Sequence, residues 1–224
     1  MCGRFAQRSQ AGKVAKQFKV DDVPPLAERY NVAPSQAVLA VREALGGREA
    51  TLLKWGLVPH WAKDPGIGNK LINARSETVT EKPSFREAFA RRRCLVPVDG
   101  FYEWSRRGDR KRPFYFHMKD GEPFAVAGLW ERWEGEGEPL ETCTLLTTEA
   151  NELLASYHDR MPVILRPEDY EVWLDADVRE SGQLTRLLRP YAYEEMSAYA
   201  VSALVNSPSN DDPRCVAPLP GDGR

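Results

Sequence analysis

The chain has 224 residues, of which 42% are hydrophobic, and a formal net charge of −2 at pH 7. This length and composition suffice for one domain with its own core, and the slightly negative charge excludes a uniformly basic nucleic-acid coat. Any basic groove must therefore come from local clustering of arginine and lysine. The sequence has no long apolar run and no secretory pattern at its first residues, so we expect a soluble, cytoplasmic protein without a membrane partner.

Strand-like segments dominate the chain. Helices are predicted by periodicity and by favourable first turns, at 11–18, 84–92, shortly after Thr148, 167–174 and 182–188. Strands are predicted where β-branched and aromatic residues cluster, at 37–41, 94–104, 113–118, 124–133, 142–147 and 198–204. The polar segment 105–112 joins two of them as a hairpin, and the chain end, DPRCVAPLPG with a short polar tail, is expected to be irregular and frayed.

These elements predict an α+β fold. We expect a single compact domain over residues 1–224, with a mixed, largely antiparallel β core in the form of a distorted barrel, flanked by short helices. The four cysteines, Cys2, Cys94, Cys143 and Cys215, show no paired C-x-x-C spacing. They predict free thiols, with neither a disulfide framework nor a zinc site.

Cys2 is the first candidate for chemistry, because loss of Met1 gives it a free α-amine beside its thiol. The amine titrates near about 7.7–8.0 and a free thiol near about 8.5, so we expect both to be partly nucleophilic at neutral pH. With an aldehyde, the amine forms a Schiff base and the thiol then closes a thiazolidine ring. The alternative from position alone is an incidental residue at a frayed terminus.

Two further residues are candidates for acid–base work. In GFYEWS an extended strand turns Phe101 and Glu103 to one face and Tyr102 to the other, so a carboxylate lies among aromatic rings with little water nearby. The alternative is a strand-end glutamate that reaches solvent or pairs with Arg107. His158 lies in SYHDRMPVIL, where a helix ends, and it can either exchange a proton near neutral pH or simply cap helix carbonyls.

The segment LINARSET alternates Asn73, Arg75 and Glu77, which share one face if it is extended. An amide and a guanidinium suit a substrate with hydroxyls and phosphate, whereas a polar edge strand paired through salt bridges has the same pattern. The segment WGLVPHWAK supplies Trp55 and Trp61, which predict either a platform for an unpaired base or buried core aromatics.

Several segments together carry a resemblance to a known family. They are MCGRF, RYNVAP, WGLVPHWAK, NARSET, FREAF followed by RRRCLVPVDGFYEW, AGLWE, TLLTTEAN and YHDRMPVIL. In this order they resemble the SRAP family, named for SOS-response-associated peptidase. Each motif alone is weak, but together they span the chain through about Leu165, with a weaker match at 205–210.

The resemblance implies one α/β domain with a largely β core and a positively charged groove for single-stranded DNA. It implies removal of Met1, often ascribed to self-cleavage, then a covalent thiazolidine link to an abasic deoxyribose, with an AP-lyase activity that shares the Schiff base. In the family pattern Cys2 is the nucleophile, Asn73 orients the amine and sugar, and Glu103 assists proton transfer and methionine release. His158 protonates the sugar or imine and helps reversal.

Other positions match the family's contacts with DNA. Arg4, Arg75 and Arg160 match its phosphate contacts, and Trp61 matches part of its aromatic wedge. Ala62 stands where some members carry a second tryptophan, so we expect a reduced wedge. The expected partner is single-stranded DNA containing abasic sites, without a cofactor or metal, and we expect a monomer that is associated with the nucleoid when bound to DNA.

Two other hypotheses use the same residues. An N-terminal Cys/His peptidase would attack proteins in trans through Cys2 with His158 as base, and it predicts an acyl-enzyme. A noncatalytic module that binds single strands would function whether or not Met1 is removed. The sequence alone does not separate the peptidase from aldehyde capture, because both use the same cysteine.

Overall fold

The computed structural model describes residues 2–25, 27–105, 111–135, 137–178 and 180–220. The helices are α1 (Ala11–Phe18), α2 (Arg86–Arg91), α3 (Glu152–Ala155), α4 (Tyr170–Leu174) and α5 (Ser181–Thr185). Short 3₁₀ helices cover Pro65–Lys70, Pro167–Asp169, Tyr193–Glu195, Ala203–Asn206 and Pro213–Cys215. The strands are β1 (Phe5–Gln7), β2 (Arg29–Val32), β3 (Ala37–Ala44), β4 (Gly47–Trp55), β5 (Asn73–Arg75), β6 (Arg93–Val98), β7 (Gly100–Ser105), β8 (Arg112–Met118), β9 (Phe124–Trp133), β10 (Leu140–Glu149), β11 (Arg160–Pro162), β12 (Ile164–Leu165) and β13 (Met196–Ala200).

The strands form two sheets. One has the order β13-β8-β7-β1-β2, and the other has the order β11-β10-β4-β3-β6-β9-β12, with β5 added beside β10. Because β10 also pairs with β9, the strands β10, β4, β3, β6 and β9 close into a ring. Most pairs are antiparallel, while β10 runs parallel to β4 and β5. The expected α+β fold with short flanking helices is confirmed, and its core takes the form of this ring of strands.

The segment 94–104, expected as one strand, is divided at Asp99 into β6 and β7. The Asp99 carboxylate accepts hydrogen bonds from the backbone N–H groups of Arg8 and Ser9, at 2.6 and 3.0 Å. At Gly100, the first residue of β7, a Cβ would lie 2.4 Å from the Tyr115 ring, so this position requires glycine. This break sends β6 into the larger sheet and β7 into the smaller one, beside the amino-terminal residues.

The hairpin expected around the polar segment 105–112 is confirmed by the pairing of its two strands. β7 and β8 pair antiparallel from Phe101–Phe116 to Ser105–Arg112, so they form a hairpin. Residues 106–110 between them lie outside the described residues.

The carboxyl-terminal part differs from expectation. The strand expected over 198–204 ends at Ala200, and the Ser202 hydroxyl then accepts a bond from Leu204 N and starts a 3₁₀ helix. The segment expected to be frayed is held as far as Leu219: Cys215 is buried, and Leu219 N donates to Ala200 O at 3.0 Å. After Ala200 the chain therefore forms local turns, and backbone groups of these turns still form hydrogen bonds.

Arg93 joins two helix ends inside the protein. It is 2% exposed and lies over the Trp173 ring at 5.9 Å, and among the residues that the structure describes its guanidinium donates to main-chain oxygens alone. The acceptors are the carbonyls of Phe89, Ala90, Trp173, Asp175 and Val178. Burial lowers the pKa of Arg93 to about 10, so the group stays protonated at neutral pH.

None of the helices in the described ranges is long and apolar enough to cross a membrane. The same residues contain no cluster of three or more histidine, cysteine, aspartate or glutamate side chains that could hold a metal ion.

Candidate active site

Cys2 is fixed between two strands. β1 pairs with β7, and Tyr102 N donates to Arg4 O at 3.0 Å, so the residues before β1 run along β7. From the other side, Asn73 Nδ2 donates to the Cys2 carbonyl at 2.9 Å. Cys2 is 1% exposed. It is therefore part of the core and not an incidental residue of a frayed terminus.

The Cys2 thiol is held in its neutral form. Burial, together with the charge of Glu103, raises the pKa of this thiol from 9.0 to about 12. With Met1 present, the thiol of the folded chain is therefore protonated at neutral pH, unlike the partly ionised thiol expected for the chain that has lost Met1. A thiol in this environment reacts only if a base accepts its proton as the sulfur forms a bond.

Glu103 faces the same side as Cys2. Phe101 and Cys2 belong to one buried cluster, while Tyr102, which alternates with Phe101 and Glu103 along β7, packs in another. Glu103 is only 4% exposed, so the predicted alternation is confirmed, and the carboxylate lies inside the protein and not at a solvent-facing strand end. This position explains how its charge reaches the Cys2 thiol.

Asn73 is positioned by the register of a parallel pair. In β5 it lies opposite Leu145 of β10. Its Nδ2 is used by the Cys2 carbonyl, whereas its Oδ1 is buried and accepts no hydrogen bond from any residue that the structure describes. One buried acceptor therefore lies beside the Cys2 main chain.

His158 follows α3 and has a side chain that is 13% exposed. Its backbone N–H donates to Leu154 O at 2.9 Å, and the preceding Tyr157 packs against Phe114 with ring centroids 4.6 Å apart. Phe114 is the register partner of Glu103, so this packing brings His158 to the region of Glu103.

The Nδ1 atom of His158 has two neighbours. It accepts the N–H of Arg160 at 3.0 Å and lies 2.8 Å from Asp159 Oδ1. One nitrogen cannot accept from Arg160 and donate to Asp159 at once, so the first contact requires Nδ1 without a proton and the second requires Nδ1 with one.

Arg160 forms a bidentate pair with Glu77. Nη1 donates to Oε1 at 2.6 Å, Nη2 donates to Oε2 at 2.9 Å, and Nη2 also donates to Thr147 O at 2.6 Å. Arg160 lowers the pKa of Glu77 through this pair. Since β5 ends at Arg75, Glu77 lies in the following turn and not on an extended face with Asn73 and Arg75. Arg75 itself is exposed next to this cluster.

Arg4 is close to Cys2 in sequence, but its guanidinium is engaged elsewhere. Nη1 donates to Asn31 Oδ1 at 2.8 Å and to Val205 O at 2.6 Å, and the group lies 6.0 Å from the Trp104 ring centre. Arg4 thus links β2, through the buried Asn31, to the carboxyl-terminal segment, through Val205.

The two tryptophans of WGLVPHWAK have different positions. Trp55 is fully buried and donates to Ile72 O at 2.8 Å, so it is a core residue and not part of a stacking platform. Trp61 is 49% exposed and lines a surface cleft of about 440 Å³ that includes Lys63, Ile67 and Lys70. Only Trp61 of this pair can stack on a ligand.

The structure thus joins Cys2 directly to Asn73, and the charge of Glu103 acts on the Cys2 thiol. His158 is linked to this group only through the packing of Tyr157 on Phe114, and Arg75 and Arg160 lie beyond it. Two residues of the site were not predicted from the sequence: Thr147, which accepts a hydrogen bond from Arg160, and Tyr157, which packs next to His158. Both lie inside the quoted segments TLLTTEAN and YHDRMPVIL, and that is the signal that could have drawn attention to them.

Comparison with known proteins finds relatives along the whole chain. A protein from Bacteroides thetaiotaomicron of known crystal structure has a TM-score of 0.89 at 32% identity, covering 97% of this chain and 100% of that one. The abasic site processing protein YoqW of Bacillus subtilis is 46% identical, with 96% and 99% covered. The abasic site processing protein YedK of Escherichia coli is 30% identical, with 98% and 100% covered.

The family model described as SOS response associated peptidase (SRAP) matches residues 1–208, which include each of the site residues above. The chain belongs to the SRAP family.

Proposed function

We propose that this protein senses abasic sites in single-stranded DNA and captures them covalently through Cys2 after loss of Met1. The observation that carries the proposal is the burial of Cys2, whose carbonyl accepts a hydrogen bond from the Asn73 amide and whose thiol pKa is raised by burial and by the charge of Glu103. The names of two relatives, both abasic site processing proteins, support the same substrate.

The proposed reaction joins the Cys2 amine and thiol to one aldehyde carbon of the ring-opened deoxyribose. The amine attacks the carbon, water leaves, and a Schiff base forms. The S–H bond then adds across the C=N bond: sulfur bonds to carbon, nitrogen gains a proton, and a thiazolidine ring closes. Because the thiol is neutral, a base must accept its proton during this addition, and Glu103 is the carboxylate placed to do so.

Asn73 and His158 take supporting roles in this proposal. Asn73 fixes the Cys2 main chain through Nδ2, and its buried Oδ1 accepts a hydrogen bond from the amine or a sugar hydroxyl. In the neutral ring of His158, Nδ1 accepts from Arg160, so Nε2 carries the proton that is given to the sugar oxygen or the imine. When the crosslink is reversed, His158 Nε2 takes this proton back.

The proposed DNA contacts lie along the edge of the site. Arg75 and Arg160 bind phosphates, Trp61 stacks on an unpaired base, and Arg4 contributes less because Asn31 and Val205 already engage its Nη1. Since phosphates and stacking carry this binding, we expect strong salt dependence and little sequence preference.

Two companion activities follow from the same groups. Glu103 assists the release of Met1, and the Schiff base is also the intermediate from which strand cleavage by β-elimination, the AP-lyase reaction, proceeds. Capture by the thiol competes with that cleavage because it removes the C=N bond.

Peptide cleavage in trans is less well supported. A cysteine peptidase needs a thiolate, and such cysteines have depressed pKa values. The Cys2 thiol has a raised pKa and is 1% exposed, so it suits addition to a bound imine better than attack on a peptide from solution.

The test is incubation with a single strand that bears one abasic site, followed by a denaturing gel and mass analysis of the linked peptide. We expect a heat-stable adduct on the amino-terminal peptide whose mass is that of peptide plus strand minus one water. Intact mass of the unreacted protein is expected to lack Met1.

The Cys2→Ala variant lacks the thiol but keeps the α-amine, so it tests the two groups separately. It should form no stable adduct, yet a reducing agent such as cyanoborohydride should still trap its Schiff base. Cys215→Ala is the matched control, because Cys215 is also a buried free cysteine but is distant in the chain, and it should crosslink like the unmodified protein. A stable thiazolidine adduct on the Cys2→Ala variant would refute the mechanism, and retention of Met1 in the reactive protein would do the same.

A further inference from the structure

Arg160 has little capacity left for a DNA phosphate. A guanidinium has five N–H donors, and three of those of Arg160 are used by the Glu77 carboxylate and the Thr147 carbonyl. Its Nε is buried, and the side chain is only 13% exposed. The terminal edge that carries both Nη atoms, which a phosphate would bind in bidentate fashion, already faces a carboxylate.

A carboxylate and a phosphate compete for the same edge of a guanidinium, because both present two oxygens at matching spacing. Glu77 is well placed to give way: its side chain is 51% exposed and it lies in a turn after β5. Thr147 O keeps its bond to Nη2 from the other side, so the guanidinium stays in position when the carboxylate leaves.

We propose that Glu77 is an internal competitor for the phosphate site of Arg160, so that Arg160 engages DNA only by exchanging a carboxylate for a phosphate. This inference rests on the proposed function, because it concerns the same DNA-binding edge. It makes Glu77 a specificity-determining residue: ligands that lack a phosphodiester at this position leave the pair closed.

The exchange also reaches His158. Arg160 donates its backbone N–H to His158 Nδ1, while its side chain exchanges Glu77 for phosphate. A bound strand and the correctly oriented imidazole are thereby joined through one residue.

The test is binding of an undamaged, fluorescently labelled single strand, which carries no aldehyde and so measures affinity without crosslinking. Glu77→Gln should lower the Kd about fivefold, the upper range for one exposed ion pair. The matched control is Glu149→Gln, since Glu149 is exposed and is the register partner of Arg160, yet it is not the carboxylate that pairs with the guanidinium. The control should change the Kd less than twofold.

The double variant Glu77→Gln with Arg160→Ala decides between competition and simple charge repulsion. We expect it to bind no tighter than Arg160→Ala alone, with thermal unfolding showing that each variant is folded. Tighter binding that persists without Arg160, or weaker binding by Glu77→Gln, overturns the proposal.

Crosslinking to an abasic strand, measured in parallel, keeps the two proposals distinguishable. If Cys2 crosslinks but Glu77→Gln does not tighten binding, only the competition is wrong. If no adduct forms but binding tightens as expected, the covalent function is wrong and the competition stands. Absence of any binding to single strands overturns both.

Discussion

Replacement of Arg93 by methionine removes the charge and all donors from a buried side chain of similar length. Five carbonyl oxygens lose their bonds to the guanidinium. Three of them, those of Phe89, Ala90 and Trp173, lie at the ends of α2 and α4, where the helices no longer supply an amide partner. We expect this substitution to be among the most destabilising in the protein.

The magnitude follows from those three helix-end carbonyls. A buried acceptor left without a donor costs about 1–3 kcal/mol. For each of these carbonyls we expect a cost near the lower limit, because water reaches part of a loosened helix end. The sum is a loss of about 4 kcal/mol in the free energy of unfolding. At about 2–4 °C per kcal/mol for a chain of this size, the Tm should fall by about 8–16 °C.

The assay is urea unfolding followed by circular dichroism, with calorimetry for Tm. Arg91→Met is the matched control, because Arg91 is exposed at the end of α2, and it should change stability by less than about 0.5 kcal/mol. If Arg93→Met lies within about 1 kcal/mol of the unmodified protein, the carbonyls do not depend on the guanidinium and the reasoning fails.

Three further outcomes concern the site. Glu103→Gln should lower the pKa of the Cys2 thiol and speed its alkylation by iodoacetamide. The same variant should crosslink about 100-fold more slowly because proton transfer is lost, and alkylation and crosslinking rates that change in the same direction would contradict this. Asn73→Ala should slow crosslinking in single-turnover assays while stability falls by only about 1 kcal/mol, and an unchanged rate would remove Asn73 from the mechanism. Arg160 lowers the pKa of Glu77 from 4.5, so the pair stabilises the fold above that pH and its contribution is lost as the pH falls through the lowered value. The stability deficit of Glu77→Gln should be below about 1 kcal/mol at pH 7 and should vanish in acid, and a deficit that grows in acid would show the opposite sign.

Local patterns predicted several elements well. The helix at 11–18 and the strand at 124–133 have the expected bounds, because each carries a complete periodic pattern of its own. The alternation of Phe101, Tyr102 and Glu103 also predicted which residues share a face, since it depends only on the two-residue period of a strand. The aminothiol of Cys2 needed no fold at all to be recognised.

Long-range partners were not predictable in the same way. Asp99 divides a continuous apolar stretch because its carboxylate meets the N–H groups of Arg8 and Ser9, about ninety residues away in sequence. Trp55 and Trp61 have the same side chain and similar neighbours, and only the packed structure shows that the first is buried and the second exposed. The raised pKa of Cys2 likewise depends on the burial that the fold creates.

The pairing of β10 has a consequence for how the site is assembled during folding. Its carboxyl-terminal half aligns β5, with Asn73, on one side and β11, with Arg160, on the other, and its first half closes the ring of strands. β5 and β4 lie far from β10 in the chain, so these two parallel pairs form late, and non-local pairing of this kind folds slowly, on a scale of about milliseconds to seconds. A newly made chain therefore exposes its amino-terminal cysteine before the residues that control its reactivity are in place.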